Sequence, residues 1–124
     1  MKYLGIDYGL RKIGLAVAEG KLAEPLTVLR VNTGEEAINK IKLLGKFDKV
    51  IVGISEGRTA QITNLFVEKL QKHLSVPVEV FDETLSTHEA QELSRQTGMN
   101  RKKRKNMEDA FAACVMLQNY LDTA

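Results

Sequence analysis

The chain has 124 residues, 44% of them hydrophobic and 27% charged, with a net charge of +2. That composition suits one ordinary globular domain over residues 1–124 and leaves little room for a second, and no apolar run approaches the about 18 residues of a membrane span. A single cysteine, Cys114, excludes an internal disulfide or a cysteine-cluster zinc site and suits the reducing cytoplasm expected for the protein, while Asp7 and Arg11 interrupt what would be the apolar stretch of a signal peptide.

Lys2 to Tyr8 reads as a strand, with Leu4 and Ile6 alternating against Tyr3 and Gly5. Tyr8 to Lys12 supplies a turn, and Ile13 to Ala18 a second strand, so the pair predicts an antiparallel hairpin. Leu26 to Val31 reads as a third strand set off by Pro25. Asn32, Thr33 and Gly34 then offer capping chemistry for a helix carrying Ala37, Ile38, Ile41 and Leu44 at helical spacing. Lys49 to Ile54 is a short β-branched run of the kind buried on both faces of a sheet. Thr59 to Leu74 predicts a second helix, with Ile62, Leu65, Phe66, Leu70 and Leu74 on one side. Pro77 precedes a strand from Val78 to Phe81. Ser86 and Glu89 make a capping box for a third helix ended by Gly98. A last helix, with Ala110, Phe111, Cys114, Leu117 and Leu121 as its apolar stripe, follows the basic run 101–105. The order β-β-β-α-β-α-β-α-α predicts an α/β fold: a mixed five-stranded sheet, a three-strand meander extended by parallel crossovers, flanked by helices.

Charge is focal. Arg101, Lys102, Lys103, Arg104 and Lys105 are five consecutive cations, and setting them aside leaves 13 of the 18 basic residues against 16 acidic ones. Two readings stand for this run, a solvated arm or a seat for a polyanion. Three acidic positions are of interest. Asp7 lies on an apolar strand, where a carboxylate is costly unless paired or bound to a cation; it also reads as a strand-end residue serving the Gly9 turn. Asp82 and Glu83 follow the Val78–Phe81 strand, at the end of an open sheet where sites gather; they also read as an acidic loop. Glu108 and Asp109 fall early in the last helix, where acids are favoured for helix stability alone. Converging carboxylates could hold hard cations such as Mg²⁺, and two such ions about 4 Å apart serve phosphodiester hydrolysis. His73 and His88 lack the spacing of a histidine metal site. Cys114 reads as core.

These residues carry a resemblance. Leu4-Gly5-Ile6-Asp7-Tyr8-Gly9 with Arg11-Lys12-Ile13-Gly14-Leu15-Ala16, then Asp82-Glu83-Thr84-Leu85-Ser86-Thr87-His88-Glu89-Ala90, then Arg101 to Lys105 with Asp109, Ala112 and Ala113, together resemble the YqgF/RuvX family of Holliday-junction-resolvase-like proteins. The motifs keep the family's order over nearly the whole chain. The resemblance implies a ribonuclease-H-like fold and a nuclease dependent on Mg²⁺ or Mn²⁺, with Asp7, Glu83 and Asp109 at the acidic metal-binding positions. Members are associated with maturing the 5′ end of precursor 16S ribosomal RNA, and were earlier assigned to cutting four-way DNA. Three departures concern substrate grip: a short loop over 53–58, Thr84 where a basic residue is usual, and Ala18-Glu19 in place of a Ser-Asp pair.

The leading expectation is therefore a metal-dependent endonuclease on structured nucleic acid, precursor ribosomal RNA or branched DNA, with Arg11 and residues 101–105 on the phosphates. A junction resolvase would need two symmetric sites and hence a homodimer rather than a monomer. A nucleic-acid-binding module without catalysis is the alternative from another class. Asp7-Tyr8-Gly9 is also similar to the phosphate loop of actin-like sugar kinases, but those proteins close two such domains around ATP.

Overall fold

The computed structural model describes residues 1–54, 58–82 and 101–123, with residues 58–60 and 101–105 described for their backbone alone. The strands are β1 (Lys2–Asp7), β2 (Lys12–Glu19), β3 (Leu22–Arg30), β4 (Lys49–Ile54) and β5 (Val78–Asp82), and the helices are α1 (Gly34–Lys42), α2 (Arg58–His73) and α3 (Arg101–Thr123). The five strands form one sheet in the order β3-β2-β1-β4-β5. β1, β2 and β3 pair antiparallel as the expected meander, and β4 and β5 add in parallel. The helix expected between Ser86 and Gly98 lies outside the described residues, as do Glu83, Thr84 and residues 55–57 of the short loop.

Alternation along β1 and β4 divides the core into two layers. Leu4, Ile6, Val50 and Val52 project to the face covered by α1 and α2, where Ala37, Ile38, Ile41, Phe66, Val67 and Leu70 meet them. Tyr3 and Ile51 project to the other face, where Ala113, Cys114, Met116 and Leu117 of α3 pack with Ala16, Ala18 and Ala23. Small residues on this second face let the helix lie close: Leu117 Cβ stands 2.9 Å from where a Cβ at Gly5 would be. The far half of α3 is also fastened by hydrogen bonds. Gln118 Oε1 accepts from the Ala23 N–H (2.9 Å), and its Nε2 donates to the Lys21 carbonyl (2.9 Å).

Four expectations need correction. β3 starts at Leu22 and runs through Pro25, instead of starting at Leu26. β3 is an edge strand and Pro25 sits beside a bulge, the two places where a sheet tolerates proline; the register shift opposite Leu15 and Ala16 makes Leu26 the extra residue of that bulge. On α2, Leu65 is 61% exposed while Thr63 and Val67 are buried, so the apolar stripe is rotated from the expected one. The basic run does not precede the last helix but forms its first turns, since α3 begins at Arg101. Phe111 leaves the stripe as well: it is buried with Ala112, Met107 and Val115, apart from the cluster that holds Cys114 and Leu117. Cys114 is core, as expected. It is buried, its Sγ lies 3.4 Å from the Ala23 carbonyl, and burial pushes the thiol up to about 11.

Candidate active site

Asp7 is the last residue of β1, and the strand's parity puts it on the α3 face: Tyr3 packs in the α3 cluster and Gly5 abuts Leu117, while Leu4 and Ile6 point the other way. Its two cross-strand partners are both glycines, Gly14 on β2 and Gly53 on β4. Neighbouring strands therefore present no side chain on either side of this half-buried carboxylate. Asp7 interacts with other groups of the protein.

Gly14 brings in the second acid. A methyl group at Gly14 would overlap the carbonyl of Asp109, so the α3 backbone rests directly on β2 at this point. Gly14 is the ladder partner of Asp7, and such Cα pairs stand about 5 Å apart. The backbone of Asp109, 102 residues away in sequence, is thus seated beside Asp7. From there α3 descends along β1, with Ala113 and Leu117 at Gly5 and Tyr120 against Tyr3. The opposite direction carries its first turns outward: at about 1.5 Å per residue, the backbone of residues 101–105 stands about 6–12 Å beyond Asp109, past the sheet's end.

The parallel strands β1, β4 and β5 all finish on this side, with Asp7 level with Gly53 and Gly53 level with Phe81. Asp82 closes β5, is exposed and has partners of its own. Glu83, next in the chain, lies outside the described residues. Arg11 is exposed in the turn after Asp7, and its carbonyl accepts from the Val31 N–H (3.0 Å). Tyr8 anchors that turn to α2 by stacking on Phe66, with ring centroids 4.1 Å apart and planes at 19°. Burial raises the Tyr8 phenol above its ordinary value.

Of the expected residues, the structure seats the backbone of Asp109 on Gly14, the ladder partner of Asp7, places Arg11 in the turn that follows β1, and puts residues 101–105 in the first turns of α3. Among the described residues no three His, Cys, Asp or Glu side chains gather into a metal-sized cluster. Asp7 and Asp109 supply oxygen donors alone, and that chemistry fits Mg²⁺ or Mn²⁺. Sequence reasoning missed the part played by Gly14. Its signal was a glycine between Ile13 and Leu15 in a strand, the usual mark of a backbone that must be approached closely.

This sheet order, with a helix laid over the first strands and an acid on β1, is the ribonuclease-H-like fold, and solved nucleases share it. The chain superposes on the Fowlpox virus resolvase in complex with Holliday junction DNA with a TM-score of 0.72 at 11% identity, covering 99% of this chain and 98% of that one. The Thermus thermophilus RuvC–junction complex gives a TM-score of 0.59 at 17% identity, over 100% of this chain and 96% of that one. The RuvX family, described as Holliday junction resolvase, matches residues 1–123, and the chain belongs to it. Relatives named "Putative pre-16S rRNA nuclease" include one from Halothermothrix orenii, 40% identical over 98% of this chain and 95% of that protein. Another, from Desulforamulus reducens, is 31% identical over 99% and 98%. No helix among the described residues is long and apolar enough to cross a membrane.

Proposed function

We propose that the protein is a divalent-metal-dependent endonuclease that processes the 5′ end of precursor 16S ribosomal RNA. The observation that carries this reading is the seating of Asp109 on Gly14, next to Asp7, at the end of the sheet where three parallel strands finish. Asp7 and Asp109, with Glu83 of the family motif as the third acid, would hold Mg²⁺ or Mn²⁺. Bound there, the metal would supply an activated water and stabilise the departing oxygen of the phosphodiester. Arg11 and residues 101–105 contact the phosphates on either side, and the turn tied down by Tyr8 and Phe66 keeps Arg11 in register with Asp7. Relatives named as pre-16S rRNA nucleases support this choice of substrate.

The test is cleavage of a 5′-extended precursor RNA in Mg²⁺ by wild type and by Asp7→Asn. The variant is expected to lose more than about 100-fold in rate, since even outer-shell changes at metal sites cost 10–100-fold. Equal rates would remove Asp7 from the mechanism.

The family's description as a resolvase favours a second reading, four-way DNA as substrate. Symmetric cutting needs two sites and hence a homodimer. A species that stays monomeric on a bound junction in sedimentation would exclude it.

A further inference from the structure

Lys12 and Arg30 face each other directly across the β2–β3 ladder. Next to them, Ile13 and Leu29 form the following pair and both turn into the core under α1 and α2. By alternation Lys12 and Arg30 stand on the opposite face, the α3 face that holds Asp7. Both are exposed, and neither side chain makes a hydrogen bond or ion pair with another described residue. Lys12 is two residues from Gly14, about 7 Å along the strand, and Arg30 lies one strand further out, about 5 Å.

Like charges placed directly opposite in an antiparallel pair repel and destabilise the ladder. Cations do blunt exposed sheet edges, and that accounts for Arg30 on β3. It does not account for Lys12, because β2 is an interior strand. The pair stands despite that cost at the rim of the candidate active site, where a bound anion would offset it. We propose that Lys12 and Arg30 form a phosphate clamp for the polynucleotide strand leaving that site, on the β3 side of Asp7. Substrate would then lie across the end of the sheet, held by this pair and by Arg11 between it and the scissile position. The inference rests on the nucleic-acid reading above but not on cleavage.

The experiment measures binding of a labelled RNA hairpin with a single-stranded 5′ extension, in chelator so that no cutting occurs, over a range of salt. Wild type is compared with Lys12→Gln/Arg30→Gln. The double variant is expected to bind about tenfold more weakly, and its log–log salt slope to flatten by about 1.4–1.8, the release expected of two phosphate contacts. Its thermal midpoint should equal or exceed that of wild type, because a repulsive pair has been removed. An unchanged slope overturns the clamp, and so does a lowered midpoint, which would make the cations structural. Wild type that binds with its full slope but never cleaves in Mg²⁺ would sink the nuclease reading and leave the clamp standing. Wild type that cleaves, with a variant of unchanged slope, would do the reverse.

Discussion

Helices α1 and α3 treat their ends in opposite ways. α1 follows the helix dipole: Glu35 and Glu36 lie in its first turn and Lys40 and Lys42 in its last. Thr33 caps it by accepting from the Glu36 N–H at 3.1 Å, and the Glu36 carboxylate accepts in return from the Asn32 N–H at 3.0 Å. That backbone contact, with Lys40 adding to it, holds the Glu36 carboxyl below its ordinary range. α3 has no acid in its first turn and no base in its last; it opens on five cations. A helix N-terminus repels cations by a few tenths to about 1 kcal/mol each. The helix that only covers the core is charged for stability. The helix beside Asp7 is charged against it, and is held in place by the contacts of its far half with the sheet.

Four measurements break or sharpen this contrast. The largest effect is expected from replacing Arg101, Lys102, Lys103, Arg104 and Lys105 by glutamine. The salt slope of RNA binding should flatten by about 3.5–4.5 if all five meet phosphates, while the thermal midpoint holds or rises. A falling midpoint would mean that the cations stabilise α3 after all. Gly14→Ala comes next: wedging a methyl under the Asp109 carbonyl should cost about 1–3 kcal/mol in denaturant unfolding and reduce cleavage out of proportion to the unfolded fraction. A variant as active as wild type would show that α3 is not fixed at Gly14. On α1, Thr33→Ala should cost about 1 kcal/mol with no change in cleavage rate, and any loss of rate would contradict the separation of the two helices' roles.

The smallest effect concerns the far end of α3. Tyr120 donates to Glu79 at 2.6 Å and accepts from Lys49 at 2.7 Å, and the two charges pair at 2.7 Å. Hydrogen bonds with Lys49 and Tyr120 lower the Glu79 carboxyl, and those with Glu79 and Tyr120 raise the Lys49 ammonium. The Glu79 contribution is complete above its ordinary value of 4.5 and is lost as pH falls through the lowered one; that of Lys49 is complete below 10.5 and is lost only as pH rises past that. Both groups are partly exposed, so Glu79→Gln should cost under about 1 kcal/mol. The gap in thermal midpoint between it and wild type should be constant between those limits and close in acid. A gap that widened in acid would reverse the assignment.

Much of the framework was legible because its determinants are local. Lys49–Ile54 was bounded correctly from its β-branched run, and the first hairpin from alternation about a glycine turn. The features that escaped depend on partners distant in sequence. Pro25 looks like a strand boundary until β3 is known to be an edge. Leu65 fits a helical stripe by spacing, but the sheet selects the face holding Thr63 and Val67. For the candidate site, the residue types pointed to Asp7 and Asp109, yet the seating of Asp109 next to the Asp7 strand rests on Gly14, whose missing side chain is filled by backbone from α3. Lys12 and Arg30 were silent because a cross-strand pair shows only once register is known.

The seating of α3 also has a consequence in time. Its contacts with the β2–β3 region span 91 to 97 residues of sequence, and contacts of that range form late because a long loop must close first. During synthesis the meander and its Asp7 emerge before the helix that carries Asp109. A nascent chain therefore keeps Asp7 and Asp109 apart until α3 has been made. The order of the sequence thus delays assembly of the candidate site until α3 is free to dock on the sheet.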